Sequence, residues 1–539
     1  MDGTCDSADG SKDCPALGND ETGTRKHFLF VSLGIRGHAT PLLRMAKEIV
    51  MRHKTDDRIK VSFATHNRAK EWVKATGSKY VSMGRFPVRP GELRSSMVKI
   101  MRDPSLFRGI LALFNEIYLP TYKQTYEATI KIIEREKPTM MVVDVGSLGA
   151  VDAAEKMGVK VVINMPTFPF SVDISPHPWL PAWGTGFSID MTLWDRCMNI
   201  LYPRLLSVAL TPAFIRLNKM RWENGLNRYG SQHDIFHGSK TIVNTAFGLD
   251  HARAVPASME MVGPIIREDN AHQSVPEAIV GWLDEHALSS SVVFVNFGWM
   301  AKLEKAQITA LLNGLTDVRL RVLWSMSNDQ KSLLPQTIPP SFHIVGKAGG
   351  MSMQIVAHRA VKVVVGHCGL AVAQESLVQG KPLLCLPLFG DQADVSARVL
   401  DAKVGKVLSK VRLSAADVRK NVLEIIRANE EYSKQARRVG SLLKMAGGLD
   451  RSVSILEHYH DYSPRISERV SKMEWYRSQY FDVYTVCLSF VCLATILAFL
   501  IWRGMIRCMF HSRTRPMQKA QPVRGGEADG RSEDNDGPD

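Results

Sequence analysis

Residues 361–392, VKVVVGHCGLAVAQESLVQGKPLLCLPLFGDQ, confine the fold more tightly than any other stretch of this chain. The run 361–365 is apolar and β-branched and too short for a typical helix, so it reads as a parallel strand buried on both faces. Gly366, His367, Cys368 and Gly369 follow at its C-terminal end, and residues 370–379 have helical composition. Small residues there let a ligand approach the backbone, and a helix starting at that point aims its unpaired N–H groups outward, so an anion suits the position. A second apolar run, 382–386, ends in Pro387 and carries Asp391 and Gln392 on the loop beyond it. Two consecutive parallel strands thus deliver polar groups to one sheet edge, the arrangement of an α/β fold whose ligand sits at the carboxyl ends of its strands.

The N-terminal half repeats the pattern. Residues 27–32 form an apolar strand, and the pentapeptide GHATP comes next at 37–41. Thr40 can cap and Pro41 can occupy the first turn of a helix reaching about His53, which leaves His38 on a strand-to-helix loop. Imidazole titrates near neutrality, so a histidine held there suits a general base. Residues 139–143 make another apolar strand, with Asp144 after it and a small-residue helix beginning near Ser147. From that place the carboxylate can accept the other imidazole N–H and stabilise the imidazolium. The same place also suits a helix cap.

At 539 residues the chain exceeds one ordinary core, and its 45% hydrophobic content is that of a globular protein. The net charge of +14 is spread along the chain with no nucleic-acid motif beside it, so no nucleic-acid partner is expected. The eight cysteines show neither zinc-ligand spacing nor a disulfide framework. Cys368 reads as a small buried residue, with a reactive thiol as the other reading. Residues 1–26 are rich in Asp, Gly, Ser and Thr and read as a disordered leader without an apolar signal core.

Residues 483–502 contain no charged side chain. At 1.5 Å per residue that stretch is long enough to cross a hydrocarbon core of roughly 30 Å. Trp475, Tyr476, Tyr480 and Tyr484 gather before or at its start and Trp502 closes it, as interfacial aromatics do. A single transmembrane helix in contact with lipid is therefore expected, with a buried core helix as the alternative, and residues 503–539 form a basic, then acidic, disordered tail. Basic residues flank the span on both sides and do not orient it. With no N-terminal targeting segment and no N-x-S/T sequon, the expectation is an endoplasmic reticulum anchor with the catalytic part on the cytosolic face.

His367, Gly369, Glu375, Asp391 and Gln392 stand at the spacing of the donor signature of the family 1 glycosyltransferases, H-G-G-x-N-S-x-x-E followed by a D-Q pair, and GHATP is similar to the family's G-H-x-x-P. The chain resembles that family, which moves a sugar from a UDP-sugar to a small acceptor, over most of residues 27–450. The resemblance implies the GT-B architecture, two Rossmann-like domains facing across a cleft. Residues 27–265 would bind the acceptor and residues 276–450 the nucleotide sugar, with the polar stretch 266–275 as linker. Residues 451–482 would pack back across the cleft and lead to the anchor.

By the same resemblance His38 deprotonates the acceptor hydroxyl with Asp144 as its partner, and His367 and the helix start hold the diphosphate. Glu375 takes the ribose hydroxyls, and Asp391 with Gln392 the sugar hydroxyls; carboxylates accept from hydroxyls, and an amide both donates and accepts. The implied reaction is an inverting hexosyl transfer, with the UDP-sugar as co-substrate and neither metal nor further cofactor. Met, Phe and Trp between Phe168 and Trp194 point to a small lipophilic acceptor. Taken singly, Asp391 also suits an N-cap and Glu375 a solvated helix charge. The set in register favours a ligand site.

The chain departs from the family in places. Gly349 stands where the family has a Trp that stacks on uracil, and Met351 and Ser352 replace the Pro and Gln beside it. Loss of a base–aromatic stack costs about 1 to 3 kcal/mol. Ala371 and Val372 replace the Asn and Ser that support the phosphates. Trp299, after the strand 291–296, is a candidate for the missing aromatic face; a core tryptophan, or one that blocks the site, is the other reading. These departures also admit a degenerate, non-catalytic GT-B protein that binds a lipophilic ligand or a protein partner.

Overall fold

The computed structural model describes residues 25–169, 179–230, 235–236, 239–266, 275–287, 291–298, 301–346, 352–461 and 481–512. Two parallel sheets organise it. The first comprises β1 (Lys26–Val31), β2 (Ile59–Thr65), β3 (Lys79–Ser82), β4 (Met140–Asp144), β5 (Lys160–Met165), β6 (Lys240–Val243) and β7 (Met259–Met261) in the order β3-β2-β1-β4-β5-β6-β7. The second comprises β8 (Ser291–Asn296), β9 (Leu320–Ser325), β10 (Phe342–Val345), β11 (Val361–Gly366), β12 (Leu383–Cys385) and β13 (Gly405–Val407) in the order β10-β9-β8-β11-β12-β13. Strand order reverses direction beside β1 in one sheet and beside β8 in the other, and such switch points open crevices at the carboxyl ends of the strands.

The central strands β1, β4, β8 and β11 are mostly apolar because helices cover both faces of each sheet. Phe28 and Phe30 pack with Leu42 and Met45 on one face of the first sheet, and Leu29 and Val31 pack with Tyr122 and Ala150 on the other. In the second sheet Val363 and Val365 face one cluster and Val361 and Val364 the opposite one. The domains share a buried apolar cluster in which Leu33, Ile35, Met97 and Ile117 meet Phe297, Ala301 and Leu303. The helix Gly448–Asp461 comes after the second domain yet covers the first: Leu449, Val453 and Leu456 are buried with Phe28 and Leu42. Glu457 and Asp461 on that helix pair with His53 and Lys26.

The first helix begins earlier than the sequence implies. It spans Arg36–Arg52, so Thr40 and Pro41 lie inside it and His38 falls in its first turn instead of on a loop. Proline is tolerated there because Gly37, whose carbonyl loses the usual N–H partner, is exposed to solvent, while Thr40 Oγ1 turns back to the Arg36 carbonyl at 2.8 Å. The cysteine reading is also corrected. Cys368 and Cys385 form a disulfide with a Cα separation of 5.3 Å. The β11–β12 register sets Gly366 beside Cys385, and the chain turns back through Cys368 at φ +53°, a left-handed conformation unusual for a residue with a side chain. Spacing along the chain concealed the pair because a helix separates two strands that are neighbours in space.

Residues 472–539 form a second compact unit, within which the helix Phe481–Ser512 contains the uncharged stretch 483–502. An 18-residue window within its Phe481–Arg507 portion has a mean hydropathy of 2.4, and that portion is a candidate membrane span by length and composition. In the first unit the helix Leu193–Glu223 buries Leu206, Ala213 and Leu217 but exposes Trp194, Leu205, Val208, Ile215 and Trp222. Residues 1–24 of the leader, 267–274 of the linker and 462–480 before the apolar helix lie outside the described residues, as do Trp475, Tyr476 and Tyr480.

Candidate active site

Strands β1 and β4 are adjacent, with Val31 opposite Val143, so the segment leaving β1 and the residue ending β4 meet at one sheet edge. His38 Nδ1 lies 2.8 Å from Asp144 Oδ1. The Asp144 side chain is wholly buried and that of His38 is 21% exposed. The second Asp144 oxygen accepts the Gly146 N–H at 3.1 Å. A carboxylate only accepts, so the neutral imidazole carries its hydrogen on Nδ1 and its lone pair on Nε2. Burial pulls the His38 pKa down, but the charge and hydrogen bond of Asp144, with help from the Asp391 charge, outweigh it and leave the pKa raised. Asp144 is not a cap, since the neighbouring helix Leu148–Met157 has Ser147 as its N-cap.

Tyr118 was not foreseen from the sequence. Its hydroxyl lies 3.2 Å from His38 Nε2. It ends a π-helical turn, Phe114–Tyr118, between the helices Leu106–Leu113 and Leu119–Glu136. Gly146 makes room for the ring, because a Cβ there would meet Tyr118 Cε1 at 2.8 Å. Asn164, opposite Asp144 in the β4–β5 register, and Asn244, just past β6, add two buried side-chain amides without hydrogen-bond partners at the same sheet edge. The available signal was a polar residue closing an apolar run, as in the NTAFG after residues 240–243.

On the facing edge His367 comes directly after β11. Glycine is needed around its ring: a Cβ on Gly369 would meet Nε2 at 2.9 Å, and one on Gly298 would meet Cε1 at 3.1 Å. Gly369 is the N-cap of the helix Leu370–Val378, whose first turn carries the exposed Ala371 and the half-buried Val372. His367 Nδ1 is sealed from solvent and has no partner. Desolvation lowers the pKa of the ring to about 4, so it is a neutral imidazole with one N–H to donate.

Of the remaining donor-side residues, Glu375 and Asp391 take partners from the first domain. Glu375 Oε1 accepts from Arg44 Nη2 at 3.2 Å, and Arg44 Nη1 also donates to the Ile265 carbonyl at 2.6 Å. The reading of Glu375 as a solvated helix charge is thereby set aside. Asp391 is the N-cap residue of the helix Gln392–Asp401 yet makes no side-chain capping bond. Its Oδ2 accepts from Thr167 Oγ1 at 2.7 Å. Gln392 is buried, and its Oε1 accepts the N–H groups of Leu388 and Phe389 at 2.9 and 3.1 Å, so its carbonyl shapes the loop and leaves only the NH2 group to offer a ligand. Two turns of the same helix reach further into the first domain. Asp394 accepts the N–H groups of Gly184 and Gly186 at 2.7 and 2.9 Å, and Asp401 accepts from Ile189 N and pairs with His251 at 3.0 Å each. Burial raises the Asp394 pKa to about 6 against the opposing pull of Arg398 and the two N–H groups.

His38, Asp144 and Tyr118 are thus in direct contact, and Asp391 is close enough to act on His38 through its charge. On the opposite edge His367 and Gly369 stand at the start of the helix Leu370–Val378, and Glu375 lies in its second turn. Trp299, Gly349 and Met351 lie outside the described residues.

A family model described as "UDP-glucoronosyl and UDP-glucosyl transferase" matches residues 31–516. The chain belongs to this family. UDP-glycosyltransferase 1 of Phaeomoniella chlamydospora is 22% identical over 400 residues, 67% of this chain and 80% of its own. UDP-glucuronosyltransferase 1A3 of Homo sapiens is 23% identical over 391 residues, 69% of this chain and 70% of its own. Among solved structures, Phytolacca americana UGT2 complexed with UDP-2fluoro-glucose and pterostilbene aligns with a TM-score of 0.54 at 17% identity, over 81% of this chain and 99% of that one. The fold is therefore GT-B, the protein is a UDP-glycosyltransferase, and its donor is a UDP-sugar.

Proposed function

We propose that this UDP-glycosyltransferase moves a hexosyl group, with inversion, from a UDP-sugar to a hydroxyl of a small lipophilic acceptor at a membrane. The Asp144–His38 pair carries this reading: a buried carboxylate 2.8 Å from Nδ1 directs the lone pair on Nε2 toward the cleft side. The acceptor hydroxyl gives its proton to Nε2 as its oxygen attacks the anomeric carbon, the bond to the diphosphate oxygen breaks, and UDP leaves with the electron pair. Asp144 balances the imidazolium charge that forms. The His367 N–H and the N-terminus of Leu370–Val378 receive the diphosphate, since unpaired N–H groups and the helix dipole favour an anion there. Glu375 takes the ribose hydroxyls in exchange for Arg44, and Asp391, in exchange for Thr167, takes sugar hydroxyls together with the Gln392 NH2 group. No metal and no organic cofactor enters this scheme.

The lipophilic acceptor draws support from the pterostilbene in the Phytolacca complex and from the candidate span, which would hold the enzyme where lipid-soluble compounds concentrate. The anchor would sit in the endoplasmic reticulum, and the Cys368–Cys385 disulfide favours its oxidising lumenal side for the catalytic unit over the cytosolic face expected from the sequence. Calorimetry of the purified chain against UDP, UDP-glucose, UDP-glucuronate and UDP-N-acetylglucosamine, followed by transfer assays on a phenolic acceptor, tests the reading. Saturable binding and transfer that His38→Ala abolishes are expected. Absence of binding at millimolar UDP, or transfer that survives the substitution, would overturn it.

A further inference from the structure

We propose that Tyr118 plugs the catalytic base whenever no acceptor is bound, so that the UDP-sugar is not lost to water. The inference rests on His38 acting as the base. A neutral imidazole whose Nδ1–H is committed to Asp144 has one lone pair, on Nε2, and therefore one hydrogen-bond donor at a time. The Tyr118 hydroxyl, 3.2 Å from Nε2, is that donor. It stands where the acceptor hydroxyl must stand to lose its proton, so the two exclude each other. Water placed there would do the damaging reaction. It would pass a proton to Nε2, form a bond from its oxygen to the anomeric carbon, break the bond from that carbon to the diphosphate, and release UDP and free sugar.

The setting suits a plug that yields. The Tyr118 ring is held edge-on to His38 at a centroid distance of 6.1 Å and to Phe114 at 5.9 Å, and it lies over Gly146, where any Cβ would collide with it. Desolvation, reinforced by the Asp144 and Asp391 charges, raises the phenol pKa, so the group remains a proton donor and never competes as a base. Tyr118 hangs from a π-helical turn, a one-residue irregularity between two α-helices that recurs at functional sites. The neutral hydrogen bond it makes is of modest net strength, and an acceptor hydroxyl replaces it in kind.

Tyr118→Ala and Tyr118→Phe, each compared with wild type and with His38→Ala, decide the matter. UDP release from UDP-sugar is measured without acceptor, and KM and kcat are measured with a phenolic acceptor. Tyr118→Ala should raise acceptor-free UDP release tenfold or more while calorimetry gives unchanged UDP affinity. Tyr118→Phe, lacking only the competing hydroxyl, should lower acceptor KM severalfold without lowering kcat. Wild-type UDP release in a Tyr118→Ala enzyme that still binds UDP would sink the proposal, as would a Tyr118→Phe enzyme with reduced kcat and unchanged KM. If the alanine variant fails to bind UDP, the KM-against-kcat split of the phenylalanine variant decides alone. Transfer that persists in His38→Ala would instead overturn the assignment of the base, a result distinct from either failure above.

Discussion

The two facing sheet edges are assembled from the same strand-loop-helix pattern but satisfy their polar groups in opposite ways. On the first edge His38, Asp144, the Gly146 N–H and Tyr118 hydrogen-bond to one another inside a single domain. On the second, His367 Nδ1 has no partner, while Glu375 and Asp391 borrow Arg44 and Thr167 from the opposite domain. The proposed base is thus already paired before any ligand arrives. Glu375 and Asp391 are held by contacts that cross between domains, and in the proposed donor complex each exchanges a protein partner for a ligand hydroxyl, with Arg44 keeping the Ile265 carbonyl. Such an exchange keeps the desolvation cost low, because the expensive event is an unpartnered buried charge and not a change of partner.

The largest effect should come from removing the preassembled edge. His38→Ala is expected to lower the transfer rate about 10² to 10⁴-fold, the usual contribution of a positioned base, with UDP affinity unchanged by calorimetry. A loss of UDP affinity as large as the loss of rate would erase the contrast between the edges. Asp144→Asn tests the same edge through pH. The wild-type His38 pKa is raised, so the base is protonated and activity is lost as pH falls through that raised value. Without the Asp144 charge the burial effect is opposed only by the Asp391 charge, and the acid limb of kcat/KM should move to lower pH while the plateau falls. A limb that stays in place would show that Asp144 only holds the ring.

Effects on the second edge should be smaller. The Cys368–Cys385 bond closes a sequence separation of 17 next to His367. Its removal by Cys385→Ala should cost about 3 kcal/mol by loop entropy, read as a lower Tm that dithiothreitol reproduces in wild type and not in the variant. A Tm insensitive to both would mean the turn is held by packing alone. Smallest of all is Arg44→Ala. Its pair with Glu375 is partly exposed, with side chains 20% and 14% accessible, so about 0 to 1 kcal/mol is at stake. UDP affinity should stay level or rise by up to severalfold. A large fall would make Arg44 a ligand contact and not a placeholder for the ribose.

Much of this arrangement was legible because its signals are local. The runs 291–296 and 361–365 become β8 (Ser291–Asn296) and β11 (Val361–Gly366), and Asp144 closes β4, since β-branched runs buried on both faces leave few alternatives. The extent of the Arg36–Arg52 helix was less clear, because Thr-Pro reads as a start signal and only the exposed Gly37 carbonyl and the Thr40 back-bond let the helix run through it. Tyr118, Arg44 and Thr167 gave no signal. They lie 80, 331 and 224 residues from the groups they touch, and no periodicity or motif spacing reports a contact across such separations.

The amino-acid order by itself determined that two parallel α/β sheets would form, where their carboxyl edges lie, and that His38, Asp144, His367, Glu375 and Asp391 would stand on them. Those outcomes depend on strand burial and helix starts, which are set within a few residues. Only the tertiary structure decided which groups are already partnered, that Gln392 turns its carbonyl inward, that Cys368 meets Cys385, and that a tyrosine rests on the base. Hydrogen bonds form where packing brings atoms within about 3 Å, and that condition is met or missed only when each domain has packed and, for Arg44 and Thr167, when the two have met.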